Sequence, residues 1–192
     1  MNKLNNSDKY NQLKKEVTGR KSQLQIENNE EVRLAAVSIL IENDNDNYPI
    51  YMIKRADEGV HALEWAFPGG KYEEEDLDLL DTAKRETHEE IGISNDFISF
   101  WGPLDPVYTL GTGWKIFPFI GVVKSDIETI KNEEEVQEIT KIPLFKLLES
   151  KNNRYVSFTT NNGRIDSKSY VYENKLIWGA SARIISQINS FI

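Results

Sequence analysis

Apolar positions fall into a few runs separated by polar tracts rich in Asn, Asp, Gly and Lys. Residues 32–41 are nearly all apolar and end at Glu42-Asn43-Asp44-Asn45-Asp46-Asn47, which predicts a buried strand and then a surface loop. Residues 49–54 predict a second strand, paired with the first as a hairpin. From about residue 78 to 91 the spacing changes. Leu80, Ala83, Thr87 and Ile91 recur at intervals of three and four, the stripe of a helix, and Gly92 suits its C-terminal stop. Residues 97–101, 114–123 and 136–142 predict further strands, with Pro118 placing the second of them at an edge or a bulge. A Gly-rich turn, residues 109–113, precedes it. Pro143 suits the first position of a short helix whose buried stripe is Leu144, Leu147 and Leu148. Residues 155–160 and 169–172 flank Asn161-Asn162-Gly163, a hairpin turn. Residues 176–178 predict a last short strand. Residues 180–191 predict a final helix with Ile184, Ile185, Ile188 and Phe191 inward. Strands alternating with two or three helices imply an α/β fold layered as helix, mixed sheet, helix.

Residues 1–30 are polar, and Tyr10, Leu13 and Val17 mark a short amphipathic helix stopped near Gly19. A peripheral helix or loose arm is expected there, followed by one domain over residues 31–192. The 192 residues suffice for one sizeable core. No apolar run is long enough to span a membrane, and Met1 to Asn6 carries no leader-like apolar stretch, so a cytoplasmic protein is expected. The absence of cysteine excludes disulfides, thiol nucleophiles and zinc–thiolate sites. The net charge of −8 argues against nucleic acid as a partner. It also means that an anionic substrate needs local cations.

Candidate chemistry concentrates in one stretch. Phe67-Pro68-Gly69-Gly70-Lys71 forms a loop, the acids 73–76 suit the positive end of a helix, and Arg85-Glu86-Thr87-His88-Glu89-Glu90-Ile91-Gly92-Ile93 comes after them. At about 100° per residue, Glu86, Glu89 and Glu90 share an arc of about 100°, on the face away from the apolar stripe. Carboxylates so close repel unless a cation holds them, and hard divalent cations take oxygen ligands. Arg85, four residues before Glu89, can orient one carboxylate.

Gly70, Arg85, Glu86, Glu89, Glu90, Gly92 and Ile93 together resemble the Nudix box, Gly-x5-Glu-x7-Arg-Glu-apolar-x-Glu-Glu-x-Gly-apolar. Asp76 replaces the first Glu, Thr87 replaces an apolar residue, and the gap from Asp76 to Arg85 is one residue longer than in the standard box. The resemblance implies a Nudix-type α/β/α sandwich with a mixed central sheet. It also implies hydrolysis of the diphosphate in a nucleoside diphosphate linked to another group. Mg²⁺ or Mn²⁺ would be held by Glu86, Glu89, Glu90 and the Gly69 carbonyl. Arg85 would lock a carboxylate. Glu135 is the loop candidate for the general base, with Glu138 behind it and Glu89 as the rival. Arg55, Lys71 and His61 are the candidate substrate contacts. The implied partners are a small nucleotide and a second copy of the chain, as a homodimer.

His61-Ala62, Trp65-Ala66, Leu104-Asp105, Pro118, Gly121, Ile142-Pro143-Leu144 and Ile177-Trp178-Gly179-Ala180 extend the resemblance to the coenzyme A diphosphatase branch. That branch carries a second Arg before Phe67 and a cation in the turn before Gly113. This chain has neither, so Lys115 and Arg183 are the cations left for a 3′-phosphate. Hydrolysis of ADP-ribose, a dinucleotide or a nucleotide sugar is the alternative activity. A Nudix-fold sensor that binds a nucleotide without cleaving it is a third reading, which product release would distinguish.

Overall fold

The computed structural model describes residues 4–20, 32–43, 47–57, 61–109, 112–160 and 163–192. Part of the N-terminal arm (21–31), the Asn/Asp tract at 44–46, Leu110-Gly111 of the Gly-rich turn and Asn161-Asn162 of the hairpin turn lie outside them. The elements, in chain order, are α1 (Asn6–Val17), β1 (Arg33–Glu42), β2 (Pro49–Arg55), β3 (Trp65–Ala66), β4 (Gly69–Lys71), α2 (Leu79–Ile91), β5 (Ile98–Pro103), β6 (Val107–Tyr108) and β7 (Trp114–Val123). They continue with β8 (Val136–Pro143), α3 (Leu144–Leu147), β9 (Asn153–Thr160), β10 (Gly163–Tyr172), β11 (Lys175–Ile177) and α4 (Gly179–Ser190).

The two longest apolar runs, β1 and β7, lie parallel in register from Arg33↔Trp114 to Glu42↔Val123 and form the centre of a mixed sheet. Their continuous apolar character comes from burial on both faces. β5 and β6 pair antiparallel with β7 on its far side. Pro118 therefore sits in a central strand, not at an edge. It falls between the end of the β5 ladder at Phe119 and the start of the β6 ladder at Ile116. Its carbonyl accepts from Leu104 N–H on that side. A strand residue's N–H and C=O point the same way, so the missing N–H falls where the ladder is already interrupted.

On the other side of β1 the sheet opens. β1 and β2 share the pair Ile41↔Ile50 and then part. Residues 65–71 fill the wedge, with β3 on β2 through Lys54↔Trp65 and Ile53↔Ala66. β4 lies on β1 through Val37↔Gly69, Ala36↔Gly70 and Ala35↔Lys71. β8 runs antiparallel along the outer side of β2. Gly69 is required here. Its φ is +148°, and a Cβ would sit 2.2 Å from the Ala36 carbonyl oxygen.

Helices cover both faces. α2 packs on one, over Ala36, Phe117 and Phe119 through Leu79 and Ala83, and over Leu40 and Val123 through Ile91. α1, α3 and α4 cover the other, where Leu13, Val17, Leu144, Ile184, Ile185 and Ile188 join Ile39, Ile50 and Met52. α1 is docked: Leu13 and Val17 are fully buried, and Tyr10 stacks on Tyr48 at 4.4 Å. A second antiparallel sheet, β9-β10-β11, comes after the main one. β10 begins at Gly163, six residues before the strand expected at 169.

Glu42 departs from the surface loop expected for it. It is the last residue of β1 and is buried, accepting from the Tyr51 hydroxyl at 2.6 Å and paired with Lys141. Alternation along β1 puts its side chain on the same face as Leu40, beside Tyr51, and these partners offset the cost of burying the charge.

Candidate active site

α2 starts at Asp78, whose side chain accepts from Asp81 N–H, and stops at Gly92, whose left-handed φ of +72° suits glycine. The acids 73–76 form a turn ahead of the helix, not its first turn. That turn aims Asp76 back at the helix. Arg85 Nε donates to Asp76 Oδ1 at 2.8 Å and Nη2 to Oδ2 at 3.0 Å, a bidentate pair. Asp76 also accepts from Glu73 N–H and the Thr82 hydroxyl. With Arg85 as the largest cause, its carboxyl is held down at about 2.

Arg85 is the hub. Its Nη1 donates to Glu86 Oε1 and to Glu89 Oε2, both at 2.9 Å, and its Nη2 also reaches the Lys71 carbonyl. The pairing with Glu89 was legible from the helical spacing. The stronger pairing with Asp76 was not, because it joins the helix to a loop nine residues upstream.

The three box carboxylates do not share one exposed face. Glu89 is half exposed and Glu86 is nearly covered, while Glu90 is only 2% exposed. The reason is angular. Glu90 lies seven residues beyond Ala83, which places it about 20° from that buried position, beside the apolar stripe. It points at the loop instead of solvent: Gly69 N–H donates to Glu90 Oε2 at 2.8 Å. Gly70 leaves room for the next carboxylate, since a Cβ there would lie 2.5 Å from the Glu86 carboxyl atoms.

Burial is the first cause raising Glu90, to about 8; the Gly69 N–H and Arg55 oppose it, and Glu86 and Glu135 add to it. Burial also raises Glu86, against the Arg85 hydrogen bond, with Glu89 and Glu135 adding. Arg55 and Glu135 are thus electrostatic neighbours of the same pair. Their strands place them there, since Arg55 ends β2 and Glu135 immediately precedes β8, with Ala56 N–H donating to the Glu135 carbonyl at 2.9 Å. His61 is turned to Glu64, Nδ1 to Oε2 3.3 Å, with its ring partly exposed. Lys71 is brought to the site by its carbonyl, and its side chain is exposed.

Thr87, at a position apolar in the box, is accommodated by a partner on β1. Its hydroxyl lies 2.8 Å from Ser38 Oγ and 2.7 Å from the Ala83 carbonyl. Ser38 Oγ in turn donates to Ala83 at 3.1 Å. The pair satisfies two buried hydroxyls and fixes α2 on β1.

Among the described residues, no three Asp, Glu or His groups form a ready cage for a metal. The donor chemistry nevertheless suits a hard divalent cation. It consists of carboxylate oxygens crowded into low dielectric, two with proton affinity raised by burial and mutual repulsion, which a bound cation would reverse.

A family model described as the NUDIX domain matches residues 32–160. The uncharacterised Nudix hydrolase NudL of Yersinia enterocolitica is 35% identical over 130 residues, covering 67% of this chain and 65% of that protein. NudL of Yersinia pestis, likewise uncharacterised, is 35% identical over 142 residues, 72% of this chain and 70% of that one. The chain thus spans just under two thirds of the first relative's length. Among solved structures, a MutT/nudix family protein from Enterococcus faecalis superposes with a TM-score of 0.52 at 16% identity, over 88% of this chain and 65% of that one. The Ap4A hydrolase of C. elegans gives 0.51 at 17% identity, over 62% and 85%. At such identities the likeness to the solved structures is one of fold. The family model covers more than half of the chain, over the segment that carries the box and its wedge, and the chain belongs to the Nudix hydrolases.

Proposed function

We propose that this chain is a Mg²⁺- or Mn²⁺-dependent hydrolase of the diphosphate linkage in coenzyme A or its thioesters. The observation that carries the hydrolytic part is the buried Glu90, held by the Gly69 N–H beside Glu86, with Arg55 and Glu135 in electrostatic reach. Glu86, Glu89, Glu90 and the Gly69 carbonyl would hold the metal, which supplies neutralisation of phosphate charge and a lower pKa for the attacking water. Arg85 keeps Glu86 and Glu89 on the loop side of α2, and Asp76 keeps Arg85 there. Arg55 and Lys71 meet phosphate oxygens. Glu135 takes the proton as the water oxygen attacks one phosphorus. The bridging P–O bond breaks, and the second phosphate leaves with the electron pair. From coenzyme A the products are 3′,5′-ADP and 4′-phosphopantetheine.

The coenzyme A part is supported by the branch resemblance and by the placement of two cations around Tyr108. Arg183 Nη2 donates to the Tyr108 carbonyl, and the Arg183 Nε is buried with no hydrogen-bond partner among the described residues. Lys115 Nζ lies 5.7 Å from the Tyr108 ring centroid. These are the groups that would receive a 3′-phosphate. Each charge-assisted hydrogen bond contributes about 1.5–3 kcal/mol, roughly ten- to a hundredfold in affinity.

The test is a panel of coenzyme A, 3′-dephospho-coenzyme A, acyl-coenzyme A, ADP-ribose, NADH, nucleotide sugars and diadenosine polyphosphates, each with Mg²⁺ or Mn²⁺ and products identified by mass. The proposal expects coenzyme A to give the highest kcat/KM, well above its dephospho form. Equal rates for those two, or faster cleavage of ADP-ribose or a nucleotide sugar, would assign the chain another nucleoside diphosphate substrate.

A further inference from the structure

The last carbonyls of a helix have no partner within it. In α2 two of them are taken by the segment joining β7 to β8. Ile130 N–H donates to the Ile91 carbonyl at 2.9 Å and Asn132 N–H to the Glu90 carbonyl at 3.1 Å. Gly92 makes the close approach available, since a Cβ there would lie 2.8 Å from Ile130 Cβ. Asn132 then organises the turn that leads into β8. Its carbonyl accepts from Glu135 N–H at 3.3 Å and Val136 N–H at 2.9 Å, and its Oδ1 accepts from Glu134 N–H at 3.1 Å. Three successive amides are thereby fixed to a residue whose own amide is fixed to Glu90.

The middle of these amides belongs to Glu135, an electrostatic neighbour of both Glu86 and Glu90. We propose that the Asn132 side chain is a positioning group: by holding the Glu134 N–H it fixes the loop that carries Glu135 on a residue whose own amide is tied to the Glu90 carbonyl, so that the base and the box carboxylates keep one relative geometry. The proposal rests on the reading of Glu135 as the base. It is distinct from a role in folding, because the side chain of Asn132 makes its hydrogen bond within a surface turn and buries no apolar group.

The test is a double-mutant cycle on the full chain, with the best-cleaved member of the panel and Mg²⁺. Asn132→Ala removes the Oδ1 acceptor, and Asn132→Asp keeps it. The expected result is a several-fold to about tenfold loss of kcat for Asn132→Ala with KM unchanged, a thermal midpoint lowered by no more than the few degrees that one hydrogen bond is worth, and recovery in Asn132→Asp. In a Glu135→Gln background Asn132→Ala should add nothing. If Glu135→Gln alone leaves kcat unchanged, the reading of Glu135 falls and the positioning role falls with it. If Glu135→Gln is slow but Asn132→Ala is silent, or lowers kcat equally in both backgrounds, the positioning role falls and the base stands. Hydrogen exchange supplies a readout apart from turnover. The Asn132 amide should be protected in the wild-type chain, and fast exchange there would overturn the coupling to Glu90.

Discussion

At the scale of single residues, the box contains two carboxyls displaced in opposite directions. Asp76 is held down at about 2, chiefly by Arg85, and Glu90 is pushed up to about 8, chiefly by burial. The consequences for stability run opposite ways. Asp76 contributes stability above the usual Asp value of 3.8, which is lost as pH falls through about 2. Asp76→Asn should therefore flatten the acid limb and cost on the order of 2 kcal/mol at neutral pH. Glu90 in the metal-free fold keeps a proton that the unfolded chain releases near 4.5, so stability falls as pH rises from there to about 8. Denaturant titrations in chelator should show this decline in the wild type. In Glu90→Gln it should be nearly absent, because the amide retains an acceptor for the Gly69 N–H without the charge. An unchanged slope in that variant would mean that Glu90 is not the group responsible.

At the scale of elements, legibility tracked burial and local spacing. β1 and β7 were readable because both faces are covered and the runs are continuous, and α2 because its stripe keeps helical spacing. The wedge was not readable. β3 and β4 are two and three residues long, and their partners are set by the parting of β1 and β2, a tertiary event. The first half of β10 was missed because its outward residues are polar and it lies in the second sheet. The box residues were identifiable by pattern. The burial of Glu90 needed the angle to Ala83 to be weighed, and the Asp76–Arg85 pair needed the path of the intervening turn. α1 was legible as a helix, but its docking depends on Tyr48 and Trp101, which are distant in sequence. Leu13→Ala should cost about 2–5 kcal/mol, read as a lowered denaturation midpoint, since it empties a fully buried position. A loss under about 0.5 kcal/mol, the range of ordinary surface substitutions, would mean that α1 is not part of the cooperative core.

At the scale of the molecule, one sheet carries a structural face and a chemical face. α1, α3 and α4 close the first over an apolar cluster. α2 lies on the second, with its carboxylates turned towards the wedge where β4, the end of β2 and the start of β8 converge. The proposed cleavage of a diphosphate there would depend on charge held in place, so withholding the divalent cation should stop turnover without unfolding the chain. The most direct measurement is therefore turnover of the best panel substrate by the wild-type chain and by Glu90→Gln, first in excess chelator and then with Mg²⁺ or Mn²⁺ restored. The account predicts no product in chelator, recovery for the wild type when the metal returns, and a loss of several orders of magnitude that persists in the folded Glu90→Gln chain. Full turnover in chelator, or a Glu90→Gln chain as fast as the wild type, would contradict it.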